Sequence, residues 1–320
     1  MFDSPLSASA YEVLGVDPSA TAEEIKRAFR LRLRQTHPDA GGDASAFIQV
    51  QRAWELIGTP EGRAAYDRGH GFQAASGTTT PFTDSAPSWS GWQAPAPRTD
   101  TRPKARSYGH PGGWRRERYL ALIREWAGHG VDLPDPYDPA LVRSAPREIR
   151  RLLADALAEE ATASTVSDLG MGFTVWHDVA TGATTAGSPD ADKLDHVILS
   201  PSGLYGVMSE DFAEVVRFRR GEIIGRGVDG RAPVATLLAR MRVIARAAKV
   251  RFGGAIIVLP DDDLDQAVTS LGKVRGAPVV VVRRSALSMV LRQGVPGARD
   301  IGGNELFDVR TRLQHTVRFV

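Results

Sequence analysis

From about His70 to Gly113 the chain is rich in Gly, Ser, Thr, Pro and Gln and carries only isolated aromatics, Phe72, Phe82, Trp89 and Trp92. A stretch with so little periodic apolar content cannot bury enough surface to offset the entropy of ordering it. One core therefore cannot organise all 320 residues. The expected layout is a segment over 9–70, a flexible tether over 71–113, an amphipathic helix with a Pro-rich turn over 114–145, a larger domain over 146–294 and an extension over 295–320. A tether of about forty residues reaches roughly 30 to 40 Å and raises the local concentration of one module near the other's ligand. The scattered aromatics offer a second role, weak contact with apolar surface on other chains; the tether is the preferred reading.

The segment before the tether is helical by pattern. In Thr21–Gln35 the apolar residues Ile25, Ala28, Phe29 and Leu33 recur at i, i+3, i+4 and i+8, one helix face, and leave Lys26, Arg27, Arg30 and Arg34 for solvent. Thr21 followed by Glu24 has the form of a capping box, and Pro38 disfavours helical geometry at the residue before it. Gly41 and Gly42 continue the loop to Asp43, a good N-cap. Phe47, Val50, Trp54 and Ile57 then repeat the helical spacing. Two helices joined so closely pack antiparallel, with His37-Pro38-Asp39 at the tip.

Together with Tyr11-Glu-Val-Leu-Gly-Val16 before and Arg63-Ala-Ala-Tyr66-Asp67 after, this hairpin resembles the J-domain of DnaJ-type co-chaperones over residues 9–70. The resemblance implies docking on a DnaK-type chaperone, with His37, Pro38 and Asp39 triggering ATP hydrolysis there and the face of Lys26, Arg27, Arg30 and Arg34 meeting an acidic patch. Rim charges steer encounter, and a Pro-containing loop is ordered in advance, so the chemistry suits that role. The blander alternative is that His37 and Asp39 only cover a helix end and that four cations form an ordinary solvated face. One departure stands out: Arg32 occupies a position where the family usually has a buried Leu, and its snorkelling stem is expected to replace part of that packing.

Composition narrows the rest. With 42% apolar residues there is enough for real cores, and zero cysteines exclude disulfides, cysteine zinc sites, thiol catalysis and the zinc-finger region of the largest DnaJ class. A net charge of +2 does not by itself demand nucleic acid. The most apolar runs, Ala255–Leu259 and Val279–Val282, fall far short of the roughly 20 residues of a membrane span. Met1–Ala10 lacks the features of a secretory signal, so a cytoplasmic protein with no membrane partner and no cofactor is expected.

Beyond the tether, Tyr119, Leu122, Ile123 and Trp126 stripe a helix over 114–126 whose arginines Arg115, Arg116, Arg118 and Arg124 are read as a solvated basic face, with nucleic-acid contact as the alternative. Ile149, Leu152, Leu153, Ala156 and Leu157 trace a further helix. Strands are expected at 173–176, 193–199, 203–207, 215–219, 254–259 and 278–282, with helices at 233–249 and 285–292. That order indicates a mixed α/β sandwich.

The run Lys193-Leu-Asp-His-Val-Ile-Leu-Ser-Pro-Ser-Gly-Leu-Tyr-Gly-Val207, with Glu159-Glu-Ala-Thr-Ala163, Val175-Trp-His-Asp178 and the segment ending at Arg284, resembles the nuclease-related domain NERD, of the PD-(D/E)xK restriction-endonuclease-like fold. The resemblance covers roughly 147–293. In active relatives a helix Glu, a strand Asp and an acid-x-Lys pair hold a divalent metal and activate water. Glu159 matches the first and Asp195 the second, but Met208-Ser209-Glu210 stands where the acid-x-Lys pair belongs. A thioether suits hard cations poorly, and Glu210 reverses the charge of the lysine. A rescue would use Lys193 as a migrated lysine and Glu210 as the missing ligand. The preferred reading is decay, with Asp195 and His196 hydrogen-bonding a neighbouring turn and no metal held.

The leading expectation is thus a non-enzymatic co-chaperone whose degenerate nuclease-like domain targets or binds. Two alternatives remain, a metal-dependent nuclease delivered to chaperone complexes, and a non-cleaving nucleic-acid binder that uses Arg217, Arg219, Arg220 and Arg226.

Overall fold

Polar residues set the first helix starts. Ser9 and Thr21 each accept the backbone N–H three residues on, at 3.1 and 3.3 Å, while Glu12 and Glu24 reach back to the cap N–H groups, both at 2.7 Å. These are two complete capping boxes. They open α1 (Ala10–Leu14) and α2 (Ala22–Thr36) in the computed structural model, which describes residues 5–6, 9–37, 44–70, 103–128, 130, 132–182, 192–298 and 301–320. Helices α3 (Ala44–Ile57) and α4 (Pro60–His70) follow. Tyr11, Leu14, Ile25, Val50, Ala53, Ile57 and Tyr66 share a small buried core, with Phe29 stacked on Trp54 at 4.5 Å. The expected hairpin of α2 and α3 is present.

The chain divides into two compact units, residues 1–93 with 132–146, and residues 94–131 with 147–320. This cuts the segment expected over 114–145 in two: α5 (Gly113–Ala127) belongs to the second unit, and α6 (Pro139–Ser144) to the first. Most of the expected tether lies outside the described residues. Its end does not behave as linker, because Arg106–Tyr108 forms β1, a three-residue edge strand too short for any periodicity to reveal.

The second unit is a mixed α/β layer structure. Helix α7 (Arg147–Ser167) precedes β2 (Thr174–Ala180), β3 (Lys193–Ser200), β4 (Gly203–Ser209), a two-stranded ribbon of β5 (Arg217–Arg219) and β6 (Glu222–Ile224), α8 (Pro233–Ala248), β7 (Gly254–Leu259), β8 (Val268–Val274), β9 (Ala277–Arg283), α9 (Leu287–Gln293) and α10 (Gly303–Thr316). The main sheet runs β1-β2-β3-β4-β7-β9-β8, parallel at β1/β2, β4/β7 and β7/β9 and antiparallel elsewhere. Alternate residues feed opposite faces, as a doubly covered sheet requires. Ala255, Ile257 and Leu259 pack with α8 and α10, whereas Ile256 and Val258 pack with the end of α7 and with α9.

The residues after 294, expected as an extension, complete this unit. Val309 and Leu313 of α10 enter the core, and the chain end pairs with β2 through Ala180 N–H to Arg318 O at 2.8 Å and Val320 N–H to Asp178 O at 3.1 Å.

Candidate functional site

On α2, Lys26, Arg27, Arg30 and Arg34 are all exposed, while Ile25 is buried and Phe29 and Leu33 are half-buried against the small core. The helix ends at His37, whose φ of −63° and ψ of 127° are the extended geometry that Pro38 favours before it. The His37 ring meets the Phe47 edge at 5.2 Å. Pro38, Asp39 and the expected N-cap Asp43 lie outside the described residues. Arg32 does not lie along the core: it is exposed, and its guanidinium is so close to Gly15 that a Cβ there would sit 2.7 Å from Nη2. Gly15 ends α1 with a φ of 72°, so the cation sits where a helix C-terminus favours positive charge. At the other end, Tyr11 donates to Asp67 at 2.6 Å and accepts from Arg63 Nε at 2.9 Å. Burial, then the bond to Asp67, pushes the Tyr11 hydroxyl up to about 12. These contacts tie α4 to α1.

The second unit holds a cluster of the opposite kind. The strand pair β2/β3 breaks its alternation in one place. Trp176 and Val179, three apart, pack in the same core, as do Leu194 and Val197, and Asp178 between the first pair has a φ of 48°. The irregularity places Asp178, Lys193 and Asp195 against α5 and α7. Lys193 Nζ donates to Glu159 at 2.6 and 2.7 Å and to Asp178 Oδ1 at 2.5 Å, and lies 3.4 Å from Asp195 Oδ1. Arg115 adds contacts to Asp155 at 2.7 Å, Glu159 at 2.6 Å and Asp195 at 3.8 Å. The expected solvated basic face of α5 is therefore wrong at Arg115, which is buried. Its place four residues before Tyr119, on the apolar stripe, was the available signal.

Backbone donors finish the cluster. Glu159 accepts from Gly112 N–H at 3.1 Å, Asp178 from Trp114 N–H at 3.3 Å, and Asp195 from Ser209 N–H at 2.9 Å. Burial works to raise Asp195, but the charges of Lys193 and Arg115 outweigh it and hold the carboxyl below its ordinary range. For Glu159, burial and the neighbouring Asp195 carboxylate push the carboxyl up against the pull of Lys193 and Arg115. Burial likewise lifts Asp155 to about 8. All these side chains are buried, with Glu159 and Asp195 at 0% exposure, so the ammonium of Lys193 stands closed off where the carboxylates converge.

Glu210, proposed in sequence terms as a replacement ligand, instead accepts from Arg231 at 2.8 Å, and Met208 packs into the hydrophobic core. Asp195 and His196 do not serve a turn. His196 Nδ1 lies 2.8 Å from His177 Nδ1, and a chain of hydroxyls extends on both sides through Ser107 at 2.9 Å and Ser209 at 3.2 Å. Burial followed by mutual repulsion depresses His177 to about 3, and burial depresses His196 to about 4. Among the described residues no group of three or more His, Cys, Asp or Glu is arranged to hold a metal ion. The four arginines named for nucleic acid, Arg217, Arg219, Arg220 and Arg226, are exposed.

Two capped helices, an exposed basic face and a helix end at His37 define the N-terminal helices as a J-domain. Residues 9–67 match the DnaJ domain family. Similar proteins include DnaJ protein homolog 2 of Allium porrum, 45% identical over 58 residues (18% of this chain, 14% of the relative), and the chaperone protein DnaJ of Roseiflexus sp. (strain RS-1), 44% identical over 81 residues (24% and 22%). The chaperone protein DnaJ of Thermosynechococcus vestitus is 48% identical over 61 residues (18% and 16%). The chain thus spans about a fifth or less of the length of these curated relatives. No helix among the described residues is long and apolar enough to cross a membrane.

Proposed function

We propose that this chain is a co-chaperone that docks on a DnaK-type chaperone and triggers its ATP hydrolysis through His37, Pro38 and Asp39, steered by Lys26, Arg27, Arg30 and Arg34. The observation that carries the reading is the row of four exposed cations leading to His37 within a segment that matches the DnaJ domain. The working compartment is the cytoplasm, where such a partner is met. Stimulation of a purified DnaK-type ATPase by the full chain tests it: His37→Gln is expected to abolish stimulation and leave the helical signal unchanged. Stimulation that survives the substitution overturns the reading.

The α/β unit is proposed to be a nuclease-like fold without a reaction of its own, serving as a targeting or binding module for clients or nucleic acid. Support comes from Lys193, whose ammonium takes the central position that a cation would need among Glu159, Asp178 and Asp195, and from the loss of the acid at Met208. Incubation with DNA and RNA in magnesium or manganese is expected to yield no cleavage. Cleavage by the parent that disappears in Asp195→Ala would restore the metal-dependent nuclease.

A further inference from the structure

Two surface turns of the α/β unit share a dipeptide and an uncommon backbone. The β5/β6 ribbon closes through Arg220-Gly221, flanked by the pair Arg219 and Glu222, and the β8/β9 hairpin closes through Arg275-Gly276, flanked by Val274 and Ala277. Their φ angles are 52° and 75° in the first turn and 50° and 87° in the second. Positive φ at both central residues is the type I′ geometry, for which Asn, Asp or Gly is the favoured first residue. Arginine gains nothing there from its own side chain, yet it occupies that position twice.

The two turns are neighbours, since a Cβ on Gly221 would lie 3.0 Å from Val274 Cγ2. Phe218 and Ile223 pack towards the core, so Arg217 and Arg219, one on each side of Phe218, share the outer face of the ribbon. Residues two apart on a strand are about 6.6 Å apart, comparable with successive phosphates along a nucleic-acid strand. Lys273, which pairs with Pro278, faces the other side of the sheet from Val274 and is not part of this surface. Arg217, Arg219, Arg220 and Arg275 are all exposed, and among the described residues none forms an ion pair. The carboxylates of Glu222 and Glu214 turn to backbone donors and not to these arginines. Glu222 accepts from Val234 and Ala235 N–H at 2.8 and 3.0 Å, and Glu214 accepts from Gly227 N–H at 2.5 Å.

We propose that the paired Arg-Gly turns grip the phosphate backbone of nucleic acid without reading its bases. Four exposed cations without an ion-pair partner, gathered at two neighbouring turns, call for a polyanion, and guanidinium forks match phosphate oxygens in pairs. A membrane surface fits less well, because Ile224, across from Arg217, is the one exposed large apolar side chain of the ribbon and Val274 is packed on the core, which leaves little to insert. The proposal rests on reading the α/β unit as a binding module and specifies its ligand.

Anisotropy of a labelled random DNA duplex of about 20 base pairs, titrated with the full chain from about 50 mM salt upwards, tests it. The double variant Arg220→Asn with Arg275→Asn keeps residues suited to type I′ turns. It is expected to weaken binding at least about tenfold and to make the salt dependence shallower by about two. Arg217→Gln with Arg219→Gln, which leaves both turns intact, is expected to do the same. Absence of binding by the parent at low salt, or unchanged affinity and slope in both variants, overturns the proposal. So does capture by vesicles containing about a third phosphatidylserine without capture of nucleic acid, which would assign the turns to a membrane surface. The same variants are expected to stimulate a DnaK-type ATPase normally, so failure here is distinguishable from failure of the co-chaperone reading.

Discussion

The two units treat the same residue types in opposite ways. On α2, Lys26, Arg27, Arg30 and Arg34 stand in solvent with the apolar face turned inward. In the α/β unit, Lys193 and Arg115 are buried among Asp155, Glu159, Asp178 and Asp195. An exposed charge contributes little to stability but is free to meet a partner. A buried charge has its field satisfied internally, and its removal leaves the opposite charges stranded. The lesson is that charge density alone does not mark a working site, since exposure decides whether the charge is available.

Removing the buried cation should have the largest effect. Lys193→Met is expected to destabilise the α/β unit by about 3 to 5 kcal/mol, because Glu159, Asp178 and Asp195 lose their common partner. Denaturant unfolding followed by tryptophan fluorescence reads this, and adding Glu159→Gln should recover part of the loss. Little change from Lys193→Met alone would show that the cluster is more hydrated than its burial indicates. On the exposed side, Arg27→Glu with Arg30→Glu should leave the unfolding curve within about 0.5 kcal/mol. It should, however, raise the concentration for half-maximal ATPase stimulation at least about tenfold. Equal effects of the exposed and buried substitutions on stability would break the contrast.

A smaller effect belongs to the cap. Thr21→Ala removes one half of the capping box that opens α2 and is expected to cost about 1 kcal/mol. The smallest change is spectroscopic. With folded values near 3 and 4 against an ordinary 6.5, His177 and His196 should stay neutral and show no ring titration by NMR between pH 8 and pH 5. By linkage, these histidines contribute stability that is present above about pH 6.5 and lost as pH falls towards 3. Asp155 and Asp263, both lifted to about 8 with burial the leading cause, act in the opposite sense. Their contribution is present below about pH 4 and lost as pH rises through 8. Because the trends oppose, ring resonances report the histidines better than global stability does.

The J-domain was largely legible because its signals are local. Helical spacing, the Thr21/Glu24 capping box and a proline after His37 each act within a few residues, whereas the equally local Ser9/Glu12 box was found only in the structure. The central strands β3, β4, β7 and β9 were legible for the same reason, as apolar runs between turns. What escaped reading depends on distant neighbours. Strand β1 has three residues, and β8 is an edge strand with an irregularity between Ser270 and Gly272, so neither carries a clear period. Helix α10 has only Val309 and Leu313 fully buried. Glu159, Asp195 and Lys193 were singled out and do converge, but Arg115 was read as surface and Asp178 only as part of a resembling segment. Pairing across 40 residues, as between Arg115 and Asp155, leaves no local trace.

The central claim is that the chain acts through the exposed helix face and not through the buried cluster. Its most direct test is stimulation of a DnaK-type ATPase by three full-length forms in parallel, the parent, His37→Gln and Asp195→Asn. Loss of stimulation in His37→Gln with near-parent stimulation by Asp195→Asn is the predicted result. Stimulation by His37→Gln equal to that of the parent would contradict the account.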